Sequence, residues 1–319
     1  MFHTLVFILL LSVGALHQNI SVAQTYPSEP IRILTTGSGG SGDVISRIVA
    51  HGVGKNFSYP VIVENRGTGV LPGIGVFRAK PDGHTLLIST NALWVTQFFQ
   101  SDVPFDPLGD FSPITLVGIS PQMLIVSPSL PVESLKELIT LAKQKPGVLN
   151  YGTPGTASAS HLAGELFKSM AGVDVARVSY KAVGQAMTDI MSGRVHLMFT
   201  SVPLGMPQWK AGKVKALAVT SLSPSALTPG LDTMAASGLP GYESAAIVGM
   251  FAPAKTPDAI IKRLNSEVVR FIASPEGKAQ LLAAGLDPVG STAEELRARI
   301  QHEVAHLGRV LKEAGIVPK

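Results

Sequence analysis

Along the chain, short apolar runs alternate with stretches in which apolar residues return every three or four positions. Pro30 to Thr36 reads as a first strand; it empties into Gly37-Ser38-Gly39-Gly40-Ser41-Gly42-Asp43, after which Val44, Ile45, Ile48 and Val49 recur at helical spacing. Val61 to Asn65 predicts a second strand, Gly73 to Ala79 a short helix, and Asp82-Gly83 a turn into a strand over 84–90. Residues 97–113, rich in aromatics, Asp and Pro, read as a packed loop before two strands at 114–119 and 123–126. Leu135, Leu138, Ile139 and Ala142 mark an amphipathic helix, with Ser134 and Glu137 as a capping box. Val148 to Gly152 is a strand that opens into Thr153-Pro154-Gly155-Thr156-Ala157-Ser158-Ala159-Ser160, followed by a helix over 161–170. Further strands are expected at 175–180, 195–200, 214–220 and 247–252, and helices at 184–191, 203–210, 233–236, 257–272, 275–284 and 292–314. Thr256 and Ser274, each followed by proline, read as the caps of two of these helices. Such alternation, with few hairpin signals, predicts an α/β fold of mostly parallel strands covered by helices.

Composition narrows the setting. Leu5 to Val13 is almost wholly apolar and Ser21-Val22-Ala23 offers small residues for cleavage, so residues 1–23 are expected to be an export signal. That run is too short for a membrane span, and no later stretch approaches the roughly 18 continuous apolar residues a span needs. With no Cys there is no disulfide, thiol chemistry or lipid-anchored cysteine to expect, and the expected location is the periplasm. The formal charge is +4, but Lys and Arg are scattered singly, which argues against a nucleic-acid partner. Low-complexity linkers are absent from the sequence. The expected organisation is one domain of residues 24–124 plus 250–319 and a second of 125–249 inserted into it, joined by crossings near 120–127 and 245–251. A monomer without cofactor or bound metal is expected.

Two strand-to-helix loops carry the chemistry. In 37–43, glycines bare the backbone N–H groups and the helix that follows adds unpaired donors, which makes an anion seat. Gly37, Gly39 and Gly42 also space as GxGxxG, and Glu64 follows at the end of the next strand, so a nucleotide reading stays open, weakened by the extra Gly40. Asp43 either braces the loop or pairs with a cationic ligand group. In 151–160, Thr156, Ser158 and Ser160 supply hydroxyls, and the two loops facing one another would grip a carboxylate from both sides. Thr200 and Ser201 end another strand and add hydroxyls, while Lys181 either adds charge or reaches solvent. Enzyme signatures are poor: neither GxSxG nor GxxxxGK[ST] occurs. His302-Glu303-Val304-Ala305-His306 matches HExxH on a predicted helix, a zinc pattern, but few residues follow to supply a third ligand, and the expectation is solvated helix surface. His161 follows the second loop without a serine and acid to complete a triad; His51, His84 and His196 are isolated, and Met187, Met191 and Leu197 read as core.

The ordered succession YPSEPIRI, GGSGD, VIVENRGTG, AKPDGHTLL, SLPVESLKELI, LNYGTPGTASASHLAGELFKSMAGVDVARVSYK, AGKVKALAVTS and APAKTP closely resembles the substrate-binding proteins of tripartite tricarboxylate transporters, the Bug family, over essentially all of residues 26–318. The resemblance implies a type II periplasmic-binding-protein (Venus flytrap) fold of two α/β domains with mixed central sheets. It implies a receptor, not an enzyme, that delivers a small organic carboxylate to an inner-membrane permease of two subunits. The ligand would be a di- or tricarboxylate, an acidic amino acid or an aromatic carboxylate. The family's ligand contacts map to Ser38, Gly39, Gly40, Ser41 and Asp43 in the first domain, to Thr153, Thr156, Ala157, Ser158 and Ser160 in the second, and to Thr200. Two departures stand out: Thr35-Thr36 replaces the usual proline-phenylalanine, and Asn65-Arg66-Gly67-Thr68-Gly69-Val70-Leu71 replaces NRPGAGG. The alternatives are a sensor that signals to a membrane partner, and an α/β enzyme with a phosphate-binding glycine loop.

Overall fold

The computed structural model describes residues 26–38, 41–67, 70–98, 102–153, 158–180 and 182–313. The expected signal segment lies outside them, as do Gly39, Gly40, Thr156, Ala157 and Lys181. In chain order come β1 (Ile31–Thr35), α1 (Ser41–Gly54), β2 (Val61–Asn65), α2 (Leu71–Phe77), β3 (Thr85–Thr90), α3 (Ala92–Val95), β4 (Phe111–Ser120) and β5 (Gln122–Val126). Next are α4 (Leu135–Gln144), β6 (Asn150–Thr153), α5 (Ala159–Ala171), β7 (Ala176–Ser179), α6 (Val183–Met191), β8 (Leu197–Ser201), α7 (Val202–Lys210) and β9 (Lys215–Val219). The chain closes with β10 (Ala246–Pro253), α8 (Asp258–Ala273), α9 (Pro275–Ala283), β11 (Asp287–Pro288) and α10 (Ala293–Glu313).

These strands form two mixed sheets, one of six strands in the order β11-β4-β10-β3-β1-β2 and one of five in the order β7-β6-β8-β5-β9. Both faces of each sheet are covered, which is why the strands read as continuous apolar runs. In the first, Ile33, Leu86 and Ile88 pack against Ile45, Val49, Leu264 and Val268, while Leu34 and Leu87 face Trp94, Phe111, Phe251 and Leu296. In the second, Leu124, Tyr151 and Phe199 lie in one cluster and Met123, Ile125 and Met198 in the other. Leu162, on α5 of the second half, is buried in a cluster of the first half with Trp94, Ile247 and Ile300.

The chain passes between the sheets twice. β4 ends at Ser120 and β5 begins at Gln122, and on the return β10 starts at Ala246, paired with Ser120. The passages are hydrogen-bonded side by side: Gln122 N–H donates to Thr220 Oγ1 at 2.8 Å, Thr220 N–H to the Gln122 carbonyl at 2.9 Å, and Ser244 N–H to the Thr220 carbonyl at 3.0 Å. By sheet membership the changes come at Pro121 and just before Ala246, so the expected boundaries at 124/125 and 249/250 fall inside β5 and β10.

Several local expectations are corrected. The loop expected over 97–113 already contains the start of β4, because Pro113 is tolerated in the strand: β11 pairs only with Gly118 and Ile119, and the β10 register shifts between Met250 and Phe251, opposite Pro113. In place of the helix expected over 233–236, Thr233 bridges to Val219 and 234–236 form turns. Thr256 is no cap, since its hydroxyl donates to the Pro253 carbonyl at 2.8 Å and Pro257 takes the cap position. Ser134 does cap α4, but Glu137 reaches past it to the Glu133 N–H at 2.6 Å. Ser274 caps α9 through the Gly277 N–H at 3.0 Å, as expected.

The placement of α5 depends on Gly164. A Cβ there would come within 2.4 Å of the Tyr151 ring, which is 1% exposed and has nowhere to go. Gly164→Ala is expected to lower stability by about 1–3 kcal/mol by overpacking. Urea unfolding checks this: a midpoint equal to that of the native chain would show that the ring yields.

Candidate ligand-binding site

The topology determines which loops meet. β1 is parallel to β2 and β3, and β3 and β4 are both antiparallel to β10, so β1, β2, β3 and β4 all end on one edge of the first sheet. β6, β7 and β8 are parallel to one another and antiparallel to β5, so they end beside Gln122, where β5 begins. Because one residue separates β4 from β5, the two carboxyl edges face each other. Helices α1, α2 and α3 on one side and α5, α6 and α7 on the other therefore start at this cleft, where α/β proteins bind their ligands.

On the second edge, three hydroxyls form a triangle: Thr153 Oγ1 lies 2.9 Å from Ser158 Oγ and 3.2 Å from Ser160 Oγ, and the two serines are 3.2 Å apart. Ser158 is the N-cap of α5 and accepts the His161 N–H at 3.2 Å. Thr153 and Ser160 are buried, so the cluster is a built feature of the strand end. Beneath it, Arg177 Nη1 lies 2.9 Å from His161 Nε2; since guanidinium only donates, His161 carries its proton on Nδ1. Burial, and then the neighbouring Arg177, lower the His161 pKa and keep the ring neutral. Thr200 is the last residue but one of β8, one strand over, and its buried hydroxyl has no hydrogen-bond partner among the described residues.

On the first edge, Asp43 is 4% exposed and serves the loop's architecture. Its Oδ1 is 2.9 Å from Arg47 Nε and accepts Asn65 Nδ2 at 2.9 Å, and Asn65 also donates to the Thr36 carbonyl at 2.7 Å. The end of β2 is thereby tied to the start of α1. Gly42 allows the helix to sit on the strand end, since a Cβ there would meet Thr36 Oγ1 at 2.8 Å and Thr35 Oγ1 at 3.1 Å. Ser38 is exposed in the turn and Ser41 opens α1. Glu64, which the nucleotide reading required, pairs with Arg66 at 2.5 Å and Arg32 at 3.7 Å.

Between the halves lies a cavity of about 300 Å³ that the sequence did not indicate, lined by Asn91, Ala159, Leu162, Glu243, Arg299 and Glu303, among others. The HExxH segment is solvated surface only in part: His302 and Ala305 are exposed as expected, while Glu303 is partly covered. α10 lays Glu303 against the first half, where one carboxylate oxygen accepts Trp94 Nε1 at 2.7 Å and the other Asn91 Nδ2 at 3.3 Å. Burial raises the Glu303 pKa to about 7 against the partial opposition of Trp94, Asn91 and Arg299, with Glu243 adding to the rise. Arg299 is ion-paired with Glu243, joining α10 to the returning chain. His302 and His306 stack 6.2 Å apart on the same helix. The apolar signal at Trp94 and the helical spacing of Arg299 and Glu303 were visible in the sequence, but their meeting with Asn91 is a long-range contact.

Two α/β halves, joined by two adjacent passages around a cleft lined by helix N-termini, define a solute-binding protein of the Venus flytrap type. The chain belongs to the tripartite tricarboxylate transporter family receptors, whose profile matches residues 45–316. It is 33% identical over 292 residues to the UPF0065 protein of the tcbD-tcbE intergenic region of Pseudomonas sp. (strain P51), covering 90% of this chain and 87% of that one. Among solved structures it is similar to R. palustris Rpa4515 with adipate, at 32% identity and a TM-score of 0.75, covering 92% of this chain and all of that one. It is also similar to MatC from Rhodopseudomonas palustris with bound malate, at 25% identity and a TM-score of 0.70, over 90% of this chain and all of that one. The family is one of receptors, and the chain is a binding protein, not an enzyme.

The Glu303 pKa has a thermodynamic consequence. A carboxyl whose pKa rises from 4.5 to about 7 on folding binds its proton more tightly in the native state, so its contribution is greatest below pH 4.5, declines as pH rises and is flat above about 7. Across that window the native chain is expected to lose roughly 3 kcal/mol relative to Glu303→Gln, which has no such proton. Melting temperatures of both proteins from pH 4.5 to 8 test this, and a difference independent of pH would contradict the burial of this carboxyl.

Proposed function

We propose that the chain is exported by its N-terminal segment, binds a small organic carboxylate between its two halves, and delivers it to a permease of two membrane subunits. The observation that carries this reading is the facing of two helix-start loops, one bare in glycine and one bearing the Thr153, Ser158 and Ser160 hydroxyls. Helix N-termini favour an anion by their unpaired N–H groups and dipole, and several hydrogen bonds replace the hydration that a buried carboxylate gives up. Ser38, Gly39, Gly40 and Ser41 supply one side and Thr153, Thr156, Ala157, Ser158 and Ser160 the other, while the orphaned Thr200 hydroxyl finds its partner in the ligand. Asp43 acts through the loop that it holds with Asn65.

The two sheets are the bodies that move, rotating about the passages at Pro121 and Ser244-Ala245. A ligand shifts this equilibrium only by binding the closed form better than the open one, which contact with both edges ensures. Adipate and malate, bound by two similar proteins, are both dicarboxylates, which supports a small acid as the ligand here.

The test is a thermal-shift screen of protein unfolded and refolded to remove ligand carried through purification. Di- and tricarboxylates, acidic amino acids and aromatic carboxylates are compared with nucleotides. At least one carboxylate is expected to raise the melting temperature, and Ser160→Ala or Thr153→Val to weaken its binding about tenfold, the effect of one lost hydrogen bond to a charge. A response to nucleotides alone, or unchanged affinity in both variants, would overturn the reading.

A further inference from the structure

We propose that Asn91, positioned by Glu303, determines specificity: it turns its side-chain carbonyl toward the cleft and selects carboxylates that also carry a hydrogen-bond donor, a hydroxyl or an ammonium, on the carbon chain. The inference rests on the reading of the cleft as a carboxylate site and deepens it.

Asn91 directly follows β3, which ends on the ligand edge next to β1. It lines the cavity between the halves together with Ala159, the residue between Ser158 and Ser160. A ligand whose carboxylate rests on the start of α5 has Asn91 on the wall of the adjoining cavity.

The orientation of the amide follows from its partners. Asn91 occupies the N-cap position of α3, where an asparagine oxygen ordinarily accepts a helix N–H, yet it makes no such bond. Thr90 Oγ1 takes that role, accepting the Ala92 N–H at 3.3 Å. The Asn91 amide turns instead to Glu303, and an ionised carboxylate only accepts, so the amide nitrogen must face it. Trp94 Nε1, a donor only, occupies the other carboxylate oxygen at 2.7 Å and holds the group in place. Asn91 Oδ1 is left without a hydrogen-bond partner among the described residues. The nearby guanidinium of Arg299 is engaged by Glu243. A hydroxyl or ammonium reaching this point finds an acceptor, whereas a bare methylene leaves the carbonyl unpaired.

The test compares acids that differ only in the donor: succinate with malate and aspartate, propionate with lactate and alanine, and glutarate with 2-hydroxyglutarate and glutamate. Titration calorimetry on the refolded full chain at about pH 8 keeps Glu303 ionised. In the chain-length series that binds, the donor-bearing acid is expected to bind at least about tenfold more tightly than its plain counterpart. In Glu303→Gln, the glutamine oxygen accepts from Trp94 and its nitrogen faces Asn91, which must rotate and present Nδ2 instead. The preference should then fall to about onefold or reverse, with the plain acid bound as well as before. Glu303→Ala, which removes the partner that orients the amide without supplying a donor to turn it round, should reduce the preference without reversing it.

Equal binding of plain and donor-bearing acids by the native chain, or an unchanged ratio in Glu303→Gln, would overturn the proposal and leave the carboxylate site standing. If no acid of the three series binds while nucleotides do, the carboxylate reading falls and this proposal with it.

Discussion

A single residue, Pro121, separates a strand of the first sheet from a strand of the second, and most of the molecule's geometry follows from that short passage. β4 must deliver the chain at the carboxyl edge of its own sheet directly to the amino end of β5. Because β6, β7 and β8 run against β5, their carboxyl ends are brought to the same place. The return passage at Ser244 is hydrogen-bonded through Thr220 to the outgoing one at Gln122, so the halves share one narrow joint. Six helix starts converge on the cleft as a consequence, and each leaves the N–H groups of its first turn without a partner inside the helix.

Such a design divides labour between main chain and side chain. On the first edge the buried carboxylate of Asp43 is engaged in holding β2 to α1 through Asn65 and Arg47. The second edge adds the hydroxyls of Thr153, Ser158 and Ser160, which satisfy one another in a triangle.

How much of this was legible depended on range. β1, α1, β2, β5, α5, α8 and α9 could be read from local period, because each buries a face whose residues are close in sequence: Ile33 and Leu34 mark opposite sides of a covered strand, and Ser274 caps α9 with its own neighbours. The start of β4 was hidden by Pro113, since only the partner's register shift and a missing neighbour make that proline acceptable. Thr256 looked like a cap because capping is a local pattern, but its hydroxyl found the Pro253 carbonyl instead. Ser158 and Ser160 were named from their place before a helix and Thr153 through the family resemblance, and bracing of the loop was one of two readings of Asp43, whereas its partner Asn65, on another strand, was not legible.

Glu303 shows the same principle at the largest separation. In sequence it belongs to a zinc-like pattern or to a polar helix surface, and both readings take its neighbours on α10 as its surroundings. Its actual surroundings are Trp94 and Asn91, 209 and 212 residues away, and they turn a nominally solvated carboxylate into a partly buried acceptor. Backbone donors that hold a carboxylate recur with any sequence that keeps the glycines and hydroxyls, so they say little about which acid is bound. Discrimination has to come from side chains that reach the ligand's remaining atoms. Asn91 is such a side chain, and its direction is set by a helix that local pattern reading assigns to solvent.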